Sequence, residues 1–598
     1  MSTFCGWVDF SGAPFRRPET QPTRSRDGML YLWADVRLDN REELIESLGG
    51  LFEGNRPGDD ELVLAAYLRW GESCPERLLG DFAFAVWDVR LCQLFLARDP
   101  LGIKPLHYSR AGALLSFGSE ARQVLGHPAV SRRLDEVSVG DYLAGCFSDP
   151  GRTFFRDVRR LPPAHRLVAT PAGDRVERFW DLDPEARTVY RREEEYTEHF
   201  RELLSKAVES RLPASGPAVG VLMSGGLDSC SVAGMARQLL PPGSSPALFA
   251  GSFVFDRLRQ CDEREHIRKV AAHLEMDVEL VPAERFPVFG DPEAYQPQLE
   301  TPFLAWEGCF QEMLSRVRDR GAQVLLTGHG GDDLMAGSAL VYADRIRRGD
   351  LRALLAVLRH AASRGRAWRW TLYHFLARPL LPGSIDRILR RLSGRQPGPG
   401  LPDWIDPGFA RRTGLAERLE AAPQRRFREL ARQALYDHFR EASWDQIVHW
   451  YDRNAAGFGI EVRHPYLDRR LVEYLFSIPT DRLFRTGLSK PLLRSAAAGL
   501  LPESVRLRPD KTKLGAFLDA GLRDQRHRIE PLLAAPLAAD LGYVDGDRMR
   551  AAYRRYQQEE PNEALRTLWY ALTLEVWLRK YSMPLDEKAA PVESSSAA

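Results

Sequence analysis

Residues 28 to 175 carry short apolar runs divided by polar turns. Met29 to Ala34, Phe82 to Trp87 and Gln93 to Ala97 are bounded by Gly, Asp or Arg, which predicts strands. Glu61 to Trp70 has helical spacing, and Gly58, Asp59 and Asp60 offer caps before it. This mixture predicts an α+β unit with antiparallel pairing. Turns follow at Leu161-Pro162-Pro163, then a linker at Asp181 to Pro184 and a charged helix from about Glu193. From Ala218 the pattern changes. Val219 to Met223 reads as a buried strand, followed by a glycine-rich turn and a helix from about Ser229. Ala247 to Phe255, Val278 to Val281 and Gln323 to Leu326 read as further strands, with a helix over Glu263 to Leu274. Strands alternating with helices predict a parallel sheet with crossover helices.

From about Ser338 to Trp450 the chain reads as helical and arginine-rich, interrupted by a Gly/Pro hinge at Gln396 to Gly400. Those arginines read as a solvated face before a binding groove. The tail from Glu587 to Ala598 is small, polar and expected to be disordered. The expected organisation is one domain over 1–180, a second over 190–585, and a tail over 586–598.

Composition narrows the class. At 598 residues the chain is too long for one hydrophobic core. Lys plus Arg is 83 against 82 for Asp plus Glu, so no global charge draws it to nucleic acid or anionic membrane. Seven scattered cysteines without CxxC pairs argue against a disulfide framework or structural zinc. No apolar run spans a bilayer, and the start is not a secretory signal, so a cytoplasmic protein is expected.

Chemistry concentrates at Ser224-Gly225-Gly226-Leu227-Asp228-Ser229. A strand enters this turn and a helix leaves it. Glycines admit an anion close to the backbone, and the helix start presents free N–H groups to phosphate. Ser224 and Ser229 add hydroxyls, and Asp228 is a hard oxygen ligand suited to Mg²⁺. The string is neither Walker A nor GxGxxG. It resembles the pyrophosphate loop of N-type ATP pyrophosphatases, which cleave ATP between the α and β phosphates. Thr327-Gly-His-Gly-Gly-Asp-Asp333 resembles the second Mg²⁺ loop of asparagine synthetases and β-lactam synthetases, placing the family's aspartate on Asp332.

The resemblance to asparagine synthetases covers most of the chain. Leu79 to Asp88, Ala97 to Tyr108 and Phe117 to Glu120 look like the amidotransferase half. Gly459 to Asp468, Ser489 to Arg494 and Leu501 to Ser504 look like the synthetase half. The implied fold is α/β: an N-terminal Ntn-hydrolase-like α+β sandwich, then a parallel-sheet PP-loop synthetase domain with a helical C-terminal part. The resemblance implies adenine contacts at Leu222, Phe253 and Gly328. Asp262 and Glu263 are placed near the acceptor side.

Three departures bear on the reaction. The family exposes a cysteine after Met removal, whereas Cys5 lies behind Ser2-Thr3-Phe4 and without special processing has no α-amine. The glutamine-binding Asn-Gly-Glu falls on Asp35-Val36-Arg37, so Arg37 reverses the sign of the contact. His329 stands where asparagine synthetases carry Glu and β-lactam synthetases Tyr, and it is able to take a proton from an amine.

The chain looks most like lasso-peptide cyclases. Such a cyclase adenylates a side-chain carboxylate of a cleaved precursor peptide and closes an isopeptide bond with the new α-amine. ATP and Mg²⁺ are the implied cofactors. The precursor peptide, a leader peptidase and a precursor-recognition protein are the implied partners. The alternative is asparagine synthetase or a β-lactam-type small-molecule ligase. A lysine of the family near the C-terminus falls on Lys511 or Lys513, and both stay open. Glu461 is a further catalytic candidate, with an ion pair to Arg463 as its structural alternative.

Overall fold

The computed structural model describes residues 3–11, 21–49, 52, 56–146, 149–213, 215–289, 302, 306–335, 337–350, 352–363, 372–373, 401–420, 426–440, 443–485, 488–509, 512, 515–558 and 567–582. The expected hinge at Gln396 to Gly400 and the expected disordered tail lie outside them.

The N-terminal part stacks two antiparallel sheets. One has the order β1 (Cys5–Asp9), β7 (Leu114–Gly118), β6 (His107–Ala111), β8 (Arg159–Arg160). The other runs β10 (Gly173–Arg178), β9 (His165–Thr170), β5 (Gln93–Arg98), β4 (Gly80–Asp88), β3 (Leu30–Leu38), β2 (Thr23–Arg24). β4 shows why its sequence is continuously apolar. Alternate residues point to opposite faces, and both faces are covered. Phe82, Phe84 and Val86 pack against Leu62, Val63 and Ala66 of the helix Asp59–Trp70. Ala83 and Ala85 face the other sheet, whose Leu115 and Phe117, with Trp33 of neighbouring β3, fill the space their small side chains leave.

The second part holds a parallel sheet ordered β13 (Asp277–Pro282), β12 (Ala247–Val254), β11 (Ala218–Leu222), β14 (Ala322–Thr327), β15 (Glu461–Arg463). β11 is central, and Val219 and Val221 are fully buried. The chain leaves β11 towards β12 and β13 on one side and returns as β14 on the other. The carboxyl ends of β11 and β14 therefore form a topological switch point, the crevice where such sheets bind ligands. The sequence pattern indicated four of these strands. β15 escaped notice because three residues are too few to show a period.

Among the described residues, 341–456 are largely helical, as expected. C-terminal helices then return to the N-terminal part. Phe154 packs on Trp577, and the hydroxyls of Tyr142 and Thr573 lie 2.7 Å apart. No described helix is long and apolar enough to cross a membrane. All seven cysteines are unbridged.

Buried charge seams the two parts together. Arg211, 1% exposed, meets Asp468 at 3.0 Å, Asp39 at 3.5 Å and Asp81 at 3.7 Å. Arg37 bonds Asp81 at 2.7 Å, also pairs with Asp39, and donates to the Ser210 carbonyl at 3.0 Å. Lys104 reaches Asp35 at 3.3 Å, Asp452 at 3.6 Å and Glu461 at 3.9 Å.

Removing Arg211 leaves three buried carboxylates facing one another. Arg211→Met is expected to cost on the order of 3 kcal/mol, read as a lower urea unfolding midpoint. An unchanged midpoint would mean that the seam does not hold the two parts together.

Candidate ATP and amide-forming site

The site is built where two loops interlock. Met223 is bonded on both sides of its peptide: its N–H donates to the Gly251 carbonyl at 2.8 Å, and its carbonyl accepts from the Ser252 hydroxyl at 2.6 Å. This clamps the exit of β11. Gly225 then turns with φ +73°, a left-handed conformation natural to glycine. The following helix spans Leu227–Leu239, with Gly226 as its N-cap. It starts two residues before the expected Ser229, which places Asp228 in the first turn. Within the loop the Ser229 hydroxyl accepts from the Ser224 N–H at 3.0 Å and lies 3.2 Å from the Ser224 hydroxyl.

The second loop leaves β14 beside it. A Cβ on Gly328 would stand 2.5 Å from the Ser229 nitrogen, and one on Gly331 would stand 2.6 Å from Asp228 Oδ1. Only glycine permits that approach, and it brings Asp228 and Asp332 together. Lys490 lies between them: its Nζ pairs with Asp228 and sits 2.6 Å from Asp332 Oδ1. Lys490 is buried, has φ +52°, and caps the short helix Pro491–Ala496. The Tyr466 hydroxyl donates to the Asp228 carbonyl at 3.3 Å.

The donor set fits a metal–nucleotide complex. Two carboxylates offer the hard oxygens Mg²⁺ takes. The amides at the helix start and the Lys490 ammonium suit polyphosphate. Leu222, paired with Gly251 and Thr327 across the sheet, and Phe253 near the end of β12 stand at the same edge.

Near Asp332 lies a cluster of rings. His329 is 6.0 Å from Tyr451 and 5.7 Å from His464, centroid to centroid, and Tyr451 and His464 are 5.6 Å apart. The Thr327 hydroxyl accepts from the His329 N–H at 3.2 Å and lies 2.7 Å from His464 Nδ1. His329 Nε2 is shielded from solvent and has no hydrogen-bond partner among the described residues. Burial pushes the His329 pKa below its ordinary value against the opposing pull of Asp333 and Asp332. The ring is therefore neutral at pH 7 and able to accept a proton. Next to Asp332, Asp333 sits 3.0 Å from His438 Nε2.

The remaining candidates divide. Glu461 does not join Asp228 and Asp332. It lies in the seam, 2.6 Å from Arg463, and Lys104 and Arg463 overcome burial to hold its pKa at about 2. Such a carboxylate stays ionised and is a poor proton acceptor. Lys511 and Lys513 lie outside the described residues. Arg508 at the start of their stretch meets Glu263 at 2.7 Å and Thr512 at 2.7 Å, and a Cβ on Gly225 would lie 3.1 Å from that of Glu263. Through Glu263, Arg508 is thus tethered beside the phosphate loop. Asp262 accepts from the Phe255 N–H at 3.1 Å, shaping the turn after β12. Lys490 was missed as a site residue. Its only sequence signal was membership of the Ser489-Lys-Pro-Leu-Leu-Arg494 segment.

The chain is similar to known proteins over most of its length. Residues 199–579 match the family model for asparagine synthase, and residues 14–180 match that for a glutamine amidotransferase domain. "Asparagine synthetase [glutamine-hydrolyzing] 3" of Bacillus subtilis is 26% identical over 485 residues, covering 81% of this chain and 74% of the relative. "Amidase chyE" of Penicillium rubens is 30% identical over 344 residues, covering 55% of this chain and 50% of the relative. A solved glutamine phosphoribosylpyrophosphate amidotransferase from B. subtilis matches over 52% of this chain and 64% of that chain at 15% identity, with a TM-score of 0.21.

Lys490→Met would leave Asp228 and Asp332 in mutual repulsion. Its thermal midpoint is expected to fall in EDTA and to recover with Mg²⁺ more than the parent's does. Affinity for ATP·Mg²⁺ is expected to drop about tenfold or more for the loss of a charge-assisted contact. Calorimetric titration checks the second outcome, and equal affinities would remove Lys490 from the phosphate site.

Proposed function

The chain belongs to the asparagine synthase family and is an ATP-dependent carbon–nitrogen ligase, and from that premise we propose that it is a lasso-peptide cyclase. One observation carries the choice of nucleophile. The segment expected to bind glutamine is consumed by the seam: Arg37 is bonded to Asp81 and Asp39, and Asp35 faces Lys104. Cys5 opens a strand, in register with Gly118. An amidotransferase half organised in this way supports the reaction pocket and delivers no ammonia, so the attacking amine comes from elsewhere. The new α-amine of a cleaved precursor peptide is the amine that the lasso-cyclase resemblance implies.

In this reading a side-chain carboxylate of the peptide attacks the α-phosphorus of ATP. The α–β bond breaks, and pyrophosphate leaves with an acyl-adenylate behind. The helix-start amides and Lys490 hold the phosphates. Asp228 and Asp332 would hold Mg²⁺, which when bound neutralises charge on the pyrophosphate. The α-amine then attacks the acyl carbon, the C–N bond forms, and AMP leaves. His329 Nε2 takes the amine proton. Lys511 or Lys513 supplies positive charge at the departing phosphate. The enzyme works in the cytoplasm on a peptide prepared by a leader peptidase and a recognition protein.

The test runs two reactions with ATP·Mg²⁺, one with aspartate plus glutamine or ammonia, the other with a candidate precursor and its maturation partners. AMP release with loss of one water from the peptide, abolished in Asp332→Ala, is expected. AMP release with asparagine formation would sink the reading and make the chain an asparagine synthetase. His329→Gln is expected to slow ring closure about 100-fold while leaving ATP–pyrophosphate exchange in place. Because burial lowers the His329 pKa, the parent's closure rate should hold down to its usual value near 6.5 and fall only at lower pH. That acid limb should be missing in the variant.

A further inference from the structure

One carboxylate at the same edge of the parallel sheet takes no part in the chemistry described so far. Glu307 opens the helix Glu307–Asp319, which leads into β14. A crossover helix runs antiparallel to its strands, so its first residue lies at the strands' carboxyl ends, the sheet edge from which both acidic loops leave. Glu307 is half-buried, and its carboxylate accepts no hydrogen bond and joins no ion pair among the described residues. Burial alone pushes its pKa up to about 7. A carboxylate held in apolar surroundings without a partner is costly and marks a functional position.

The neighbours are aromatic. Trp306, the preceding residue, lies 5.8 Å from Phe253 and 4.7 Å from Phe517, and Phe255 stands 6.3 Å from Trp306. Phe255 and Phe517 are buried, while Trp306 and Phe253 in front of them are partly exposed. One turn along the helix, Phe310 meets Tyr451 at 5.2 Å, and Tyr451 in turn meets His329. Glu307 thus sits on an element whose rings lead to the proton acceptor on one side and form a half-open aromatic wall on the other.

We propose that Glu307 is the recognition group for the nucleophile, binding the primary ammonium of the incoming amine against the wall of Trp306 and Phe253. A carboxylate with aromatic faces is selective for a cation: the ion pair is charge-assisted, and the ring faces add cation–π attraction. An α-amine is largely protonated at pH 7 and arrives as that cation. In the peptide-closing reading above, on which this assignment rests, the group bound is the free N-terminus of the cleaved peptide. Glu307 holds it near His329, which takes the proton before attack.

The probe is glycinamide, a free α-amine without a peptide's length, compared with N-acetylglycinamide, which has no cation. Both are titrated into the full chain with ATP·Mg²⁺ at pH 7 and followed by saturation-transfer NMR. The parent is expected to prefer glycinamide about tenfold or more. Glu307→Gln should bind both alike, Glu307→Asp should keep part of the preference, and both variants should melt and bind ATP as the parent does. Three results would overturn the assignment: undiminished glycinamide binding in Glu307→Gln, no glycinamide binding by the parent, or a loss in ATP affinity instead, which would put the adenine amino group at Glu307. The readout needs no turnover, so failure to form AMP would count against the cyclase reading while leaving this result interpretable.

Discussion

Two acidic loops approach each other more closely than side chains allow, and the site depends on that approach. Gly328 and Gly331 lie against the backbone and carboxylate of the first loop at distances where any Cβ would clash. Their absence of side chains lets Asp228 and Asp332 share one cation, and Lys490 occupies that position between them. Like charges so near each other are unfavourable without a counterion. The pair is therefore a built demand for positive charge, and the same demand suits a metal carrying polyphosphate. The switch-point topology supplies the place, and glycine supplies the proximity.

The seam answers a different demand. Burying an ion pair is seldom a net stabiliser, because desolvation consumes the Coulombic gain, but removing one partner is severe. Arg211, Arg37 and Lys104 each serve more than one carboxylate, so the network penalises any shift of one part against the other. Asp452 and Glu461, both held by Lys104, flank the segments that carry Tyr451 and His464. The N-terminal sandwich thus buttresses the ring cluster through charge. Arg37 is the clearest sign, since its guanidinium is spent on Asp81 and Asp39 within this lattice.

Burial also sorts the proton chemistry. It favours the neutral ring of His329, while paired cations keep Glu461 ionised despite its burial. Glu307 is the opposite case, with burial unopposed by any cation. Three groups at one sheet edge or its seam thereby acquire three characters from their surroundings rather than from their residue types.

Much of this was legible in the chain. Alternation and apolar runs located most strands that matter, and the SGGLDS and GHGGDD strings named both carboxylates, because turn geometry constrains residues that are adjacent in sequence. β15 was too short to register, and the helix after the phosphate loop began two residues early. Glu461 was read as a catalytic candidate within the Gly459 to Asp468 segment, and the fold places it in the seam. Lys490 lay unassigned in a quoted segment, and Glu307 gave no signal, for each acquires meaning only from groups remote in the chain. The sequence by itself determined the loops, the carboxylates they carry and the parallel sheet that presents them. Only the tertiary structure decided which cation stands between the aspartates, which carboxylate is neutralised and which is left alone, because charge in a protein is set by what lies within a few ångströms in space.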